Sequence, residues 1–190
     1  MSIREKNKAS PHVVLGVTGS IAAYKAADLV RLMKKKGWDV SVVMTACAAE
    51  FVTPLTFQTL SRNAVGTGLF AEKDGWHPEH ISYADRADVM LIAPCTANVM
   101  AKMAHGLADD LLTCTVLATR APVIVAPAMN DNMWAHPATR ANVALLKSRG
   151  VSLIDVGAGD LACGREGDGR MAGLDEILQR VESLLRETKK

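Results

Sequence analysis

Val13-Val-Leu-Gly-Val-Thr-Gly-Ser-Ile-Ala-Ala-Tyr-Lys25 changes its period in the middle. Val13 to Val17 is a continuously apolar run, the pattern of a strand buried on both faces. Thr18-Gly19-Ser20 is a turn. From Ile21 to Lys36 the apolar positions Ala22, Ala26, Leu29, Val30 and Met33 recur mostly at steps of three and four. That spacing predicts a helix, which Gly37 ends. A buried strand, a tight turn and a helix form the first half of a βαβ unit.

The same alternation continues outward. Val40 to Met44, Val89-Met-Leu-Ile-Ala93, Val123-Ile-Val-Ala126 and Val151 to Val156 read as strands. Helical segments are expected from Ala46 to Phe51, from Pro54 to about Leu60, from Pro137 to Ser148 and from Leu174 to Glu187. Ala84 to Asp88 reads as a helix end. Thr96 to Leu117 is helical in character, with Gly106 as a candidate break. Strands apolar throughout, alternating with helices, signal a parallel sheet covered on both faces. The expected fold is a three-layer α/β, Rossmann-like (flavodoxin-like) sheet of five or six units flanked by helices. Residues 1–10 are polar and expected to be flexible, with a single domain over residues 11–190.

Composition narrows the function. The 190 residues are 49% hydrophobic and 22% charged, enough for a sizeable core. A formal net charge of +2 and 4% aromatic residues speak against a nucleic-acid binder. Cys47, Cys95, Cys114 and Cys163 lack the paired spacing of a zinc or dithiol site. No three of the five histidines have ligand spacing, so no metal site is expected. No signal-like stretch and no run of 18 apolar residues occurs, so no membrane span is expected and a reducing cytoplasm fits.

Ligands of open α/β sheets bind at the carboxyl ends of the strands. After the first strand, Gly19 allows a tight turn, and Ser20 and Ile21 open a helix whose free N–H groups favour a phosphate. The three-glycine dinucleotide pattern is absent, which favours a mononucleotide. Thr45 follows the second strand, either as a ligand contact or as a helix cap. Phe51 packs either on a ring or, more simply, in the core. Thr96, Ala97 and Asn98 follow the third strand, where the Asn98 amide suits the edge of a heterocycle. Cys95 is read as a small buried hydrophobe. Asn130 follows the fourth strand, where it either binds a carboxylate or caps a loop, and Met133 and Trp134 supply apolar cover. His80 is the side chain best suited to proton exchange near neutrality. His77 and Pro78 read as an exposed loop, His105 as mid-helix and His136 as a neighbour of Pro137. Leu161 to Met171 contains three glycines and no β-branched residue, so it reads as a mobile loop that could carry Cys163 over a ligand.

Gly16-Val-Thr-Gly-Ser-Ile-Ala-Ala-Tyr-Lys25, Pro94-Cys-Thr-Ala-Asn98, Pro127-Ala-Met-Asn-Asp-Asn-Met-Trp134 and Ala162-Cys-Gly-Arg-Glu-Gly-Asp-Gly-Arg-Met171 together resemble the homo-oligomeric flavin-containing cysteine decarboxylases. The resemblance spans residues 11–185. It implies FMN as cofactor, with Gly19, Ser20 and Ile21 at its phosphate and Thr45, Phe51, Thr96, Ala97 and Asn98 around it. It implies catalytic roles for His80 and Cys163, and substrate contacts from Asn130 and Met133. Ser82 stands where relatives often have glutamate, and Cys95 where they have a smaller residue.

Within that family the match is to the branch of coenzyme A biosynthesis. The implied reaction is decarboxylation of 4'-phospho-N-pantothenoylcysteine to 4'-phosphopantetheine and CO2. It would proceed by oxidation to a thioaldehyde, loss of CO2 to an ene-thiol, and reduction by FMNH2 with Cys163 as proton donor. Alternatives are oxidative decarboxylation of a peptide C-terminal cysteine, a non-catalytic flavin-binding regulatory subunit, or prenyl transfer onto flavin by a remote relative. The family implies a trimer or a dodecamer. With no room for a ligase domain before Lys190, a separate phosphopantothenate-cysteine ligase is expected.

Overall fold

A computed structural model describes residues 10–70, 78–160, 162 and 164–187. The chain runs β1 (His12–Val17), α1 (Ala23–Lys35), β2 (Asp39–Met44), α2 (Ala46–Ala49), α3 (Pro54–Ser61) and β3 (Val65–Gly66). It continues through α4 (Glu79–Arg86), β4 (Val89–Cys95), α5 (Ala97–His105), α6 (Leu111–Ala118), β5 (Val123–Pro127) and α7 (Asp131–Ala135). It closes with α8 (Pro137–Ser148), β6 (Ser152–Leu153), β7 (Gly157–Asp160), β8 (Glu166–Arg170) and α9 (Leu174–Glu187).

Six strands form a parallel sheet in the order β3-β2-β1-β4-β5-β6. With the two-residue β3 counted, this is the Rossmann order; without it, the remaining five strands follow the flavodoxin-like order. The expected fold class is therefore observed. The strand order reverses between β1 and β4, which places the switch point there.

Successive strand residues point to opposite faces and divide the core in two. Val13, Leu15 and Val17 of β1, with Val40, Val42 and Met44 of β2, pack with α1, α3 and α9. Val14, Val43, Met90, Ile92 and Val125 face α4, α5, α6 and α8. Gly16 supplies clearance on the second face, because a Cβ there would lie 2.8 Å from Ile92 Cδ1.

Several segments differ from the sequence reading. α1 starts two residues later than expected, after a short turn. The long segment after β4 is two helices, with Gly106 at a φ of 69° and Asp110 closing a capping box with Thr113. His105 is thus the last residue of α5, not a mid-helix residue. The last strand shrinks to Ser152–Leu153, since only that pair meets β5 at the sheet edge. The short β3 and α7 were not anticipated. The largest correction concerns the glycine-rich stretch: Glu166–Arg170 is a strand, paired antiparallel with Gly157–Asp160. Its polar sequence carries no apolar alternation, so periodicity could not reveal it. The expected flexible N-terminus falls on residues 1–10, of which 1–9 lie outside the described residues.

At the amino end of the sheet the His12 side chain ties β1 to β2. Its Nδ1 lies 3.0 Å from Asp39 Oδ2 and its Nε2 3.0 Å from Ser41 Oγ. A carboxylate only accepts, so Nδ1–H donates to Asp39 and the buried Ser41 hydroxyl donates to Nε2. Burial lowers the His12 pKa below its ordinary value, and Arg86 adds to that, outweighing the attraction of Asp39 and Asp88. Burial also pushes Asp39 up, but the hydrogen bond from Asn63 and the charges of His12 and Lys34 bring it net below the usual carboxylate range. The sign follows from proton binding. Below the unfolded His pKa of about 6.5, the unfolded chain binds a proton that the folded chain resists. Stability is therefore expected to fall as the pH drops from 7 to 5. Thermal melts over that range check it, and His12→Gln should flatten the slope.

Candidate functional site

Thr18 directly follows β1 and is fully buried. Its hydroxyl donates to Pro94 O at 2.8 Å and accepts from Thr96 N at 3.0 Å. One side chain thus ties the ends of β1 and β4 together at the switch point. Gly19 then passes so close to α2 that a Cβ would overlap the Cys47 side chain. Ser20 opens the turn and does not cap α1: its Oγ accepts from Ala22 N at 3.3 Å, within the turn, and Ala22 is the N-cap. No carboxylate occupies the first turn of α1. The positive end of the helix dipole is left without an acidic side chain.

Asn130 caps α7, with its Oδ1 accepting from Asn132 N at 2.9 Å. The β7–β8 hairpin docks across this region. Met129 N donates to Gly169 O at 2.9 Å, and Arg165 Nη2 pairs with Asp131 Oδ1 at 2.9 Å. Gly169 has a φ of 138°, and a Cβ there would overlap Met129 O.

These elements enclose a cleft of about 430 Å³, within the usual range for ligand sites. Gly19, Ser20 and Ile21 line it from the first turn, Thr96 from the β4 end, and Asn130 and Met133 from beyond β5. Ile21 is 57% exposed and Met133 48% exposed, apolar surface that a ligand or a second protein copy would cover. Thr96 also caps α5, accepting from Val99 N at 3.3 Å.

Other expected site residues lie off this lining. Thr45 is buried and caps α2, accepting from Ala48 N at 3.2 Å. Ala97 and Asn98 open α5, with Asn98 exposed. Phe51 was expected in the core if not on a ring; it is 50% exposed, because it follows the end of α2 and faces outward. His80 is the second residue of α4, half-buried on the face of the sheet that α4 covers. Cys163 and His77 lie outside the described residues, although Ala162 lines the cleft. Burial pushes the Cys95 thiol up to about 12, so it stays protonated and inert.

Tyr24, Lys25, Asp160 and Arg170 line the cleft without having been singled out. Lys25 had a readable signal: a cation in the first turn of a helix runs against the dipole. Among the described residues, no group of three His, Cys, Asp or Glu could hold a metal ion. No described helix is long and apolar enough to cross a membrane.

The fold and cleft define an α/β protein with a ligand-sized cleft at the switch point of its parallel sheet. The Flavoprotein family model matches residues 1–186, and the chain belongs to that family. It is 45% identical over 175 residues to a probable phosphopantothenoylcysteine decarboxylase of Streptococcus mutans, covering 91% of this chain and 98% of that protein. It is 46% identical over 171 residues to the coenzyme A biosynthesis bifunctional protein CoaBC of Bacillus subtilis, covering 90% of this chain but 42% of the relative. The chain thus spans about two fifths of the bifunctional relatives that it matches. A solved PPC decarboxylase mutant, complexed with pantothenoylaminoethenethiol, superimposes with a TM-score of 0.84 at 33% identity, covering 94% of this chain and all of the other. The FMN-dependent cysteine decarboxylase SpaF superimposes with a TM-score of 0.82 at 29% identity, covering 96% and 99%.

Proposed function

We propose that this chain is an FMN-dependent carboxy-lyase that converts 4'-phospho-N-pantothenoylcysteine to 4'-phosphopantetheine and CO2. One observation carries the reading: the Gly19–Ser20 turn, Asn130 and the base of the Cys163-bearing hairpin line a single cleft. The cleft fits FMN, with a tight turn ahead of a helix that has no acidic residue in its first turn, beside an apolar rim of Ile21 and Met133. FMN when bound supplies the reversible two-electron chemistry that the carboxylate's departure needs.

The protein's part is to bind, orient and exclude water. The Gly19–Ser20 turn and the positive end of the α1 dipole hold the cofactor phosphate. The Asn130 side chain donates from its amide nitrogen to the substrate carboxylate. It does so without neutralising the carboxylate, which leaves as CO2. Met133 and Ile21 keep water from the reacting carbon. His80 moves a proton at the substrate thiol, and Cys163 delivers one to the decarboxylated carbon.

His80 lies off the cleft of its own chain, so a second copy supplies it. The chain works as a homo-oligomer, a trimer or a dodecamer. The exposed side chains of Ile21, Tyr24, Phe51 and Leu55 support such a surface. Cys47, Cys95 and Cys114 are free thiols, which supports a cytoplasmic setting. Ligation of cysteine to phosphopantothenate belongs to a separate ligase or to further chain of the kind the bifunctional relatives possess.

Incubation with 4'-phospho-N-pantothenoylcysteine, followed by mass analysis, tests the reaction. The expected product has lost CO2 and nothing else, and acid releases FMN from the protein. A product lighter by two further hydrogens would favour the peptide-type oxidative reading, which the likeness to SpaF keeps in view. FAD, or no flavin at all, would overturn the cofactor assignment.

A further inference from the structure

The cleft does not end at the first turn of α1. A second cavity of about 480 Å³ continues from it, and Tyr24, Lys25, Arg170 and Met171 line both. Two cations therefore stand at the junction of a long bipartite groove. Among the described residues neither forms an ion pair. The carboxylates nearby are otherwise placed: Asp28 of the second cavity is 3.4 Å from Arg31, and Asp160 lines only the first.

Each cation is held in place by its local surroundings, and for Lys25 those surroundings oppose the charge. Lys25 is the third residue of α1, in a first turn without any carboxylate, where the helix dipole repels a positive charge. Its ammonium stands 6.0 Å from the Tyr24 ring centroid. Arg170 ends β8, and its guanidinium lies across the neighbouring strand at Gly159. A Cβ on Gly159 would come within 2.7 Å of Arg170 Nη1, and Gly159 has a φ of 130°. The hairpin thus opens a space that the guanidinium fills. Two unpaired cations, one set against a dipole and one seated over a glycine, mark a position prepared for a dianion.

We propose that Lys25 and Arg170 clamp the terminal phosphate monoester of an extended substrate, and so select phosphorylated over unphosphorylated substrates. The inference rests on the decarboxylase reading given above. It assigns the substrate phosphate to the groove junction, apart from the cofactor phosphate at Gly19 and Ser20. The amide-linked arm of the substrate runs from the reacting end, beside Asn130, to this clamp. A forked guanidinium and a mobile ammonium together suit the three oxygens of a phosphate monoester.

Calorimetric titration of the FMN-loaded protein with 4'-phosphopantothenate and with pantothenate reads the clamp without turnover. The wild-type protein should prefer the phosphorylated ligand by about a hundredfold, and each of Lys25→Gln and Arg170→Gln should cut that preference about tenfold. Lys25→Arg should restore most of it. Arg170→Gln, on an exposed strand, keeps the test open should the Lys25 variant fold poorly. Equal affinity of the wild-type protein for the two ligands would overturn the proposal, as would a preference that survives both substitutions. Loss of FMN from the variants would also overturn it, by placing the cations on the cofactor. A phosphate preference in a protein that releases no CO2 would support the clamp while removing the decarboxylase reading.

Discussion

Replacing His80 by asparagine is expected to stop CO2 release, with a loss of about 10²–10⁴ in rate, the range of a general acid or base. The variant should remain folded and keep its FMN. His80 is the second residue of α4 and is only half-buried, and among the described residues it makes no hydrogen bond whose loss would cost stability. Asparagine is a neutral polar residue that helix starts accept, so the change removes proton exchange and little else. The geometry adds a sharper expectation. His80 is absent from the cleft of its own chain, which Asn130 lines. Mixed oligomers of His80→Asn and Asn130→Ala subunits should therefore regain activity that neither parent has, because some sites then join an intact His80 to an intact Asn130. Wild-type rates in His80→Asn would remove the residue from the reaction. No recovery on mixing would place both residues in one chain's site.

Gly169→Ala is expected to loosen the hairpin from the cleft and to raise KM more than about tenfold, from roughly 1–3 kcal/mol of local strain. Gly169 has a φ of 138°, where other residues are strained, and a Cβ there would overlap Met129 O. The bond from Met129 N to Gly169 O at 2.9 Å would be lost with it. The hairpin buries little of the core, so the global Tm should move by only a few degrees. Limited proteolysis should show new cleavage between residues 157 and 170. Gly68→Ala serves as a control, since among the described residues nothing lies within 4 Å of a Cβ there and its φ is not positive. An unchanged cleavage pattern and KM in Gly169→Ala would show that the hairpin tolerates the side chain and does not shape the site.

The alternation of apolar strands and helices was legible because burial on both faces writes itself directly into composition. A strand such as Val13–Val17 has no polar alternative when helices cover both sides. That Gly19 and Asn130 follow strand ends was legible for a related reason: small and polar residues directly after an apolar run mark where the chain leaves the core. β3 escaped reading because a two-residue strand carries no period, and the same brevity left β6 shorter than the strand expected there. The hairpin escaped because its strands are polar and glycine-rich.

What the sequence by itself determined was the layer architecture, the chain order of the elements and the chemical kinds of residue near each strand end. Each of those follows from local spacing and from burial on one face or two. Only the tertiary structure decided which strand ends meet. Thr18 bridging Pro94 and Thr96, the hairpin docking beside Asn130, and Lys25 and Arg170 lining one groove all depend on the packing of residues far apart in the chain. The same contacts separate Thr45, Phe51 and His80 from the cleft of their own chain. Sequence spacing can place a side chain on an element, but the packing of one element on another sets the distance between two of them.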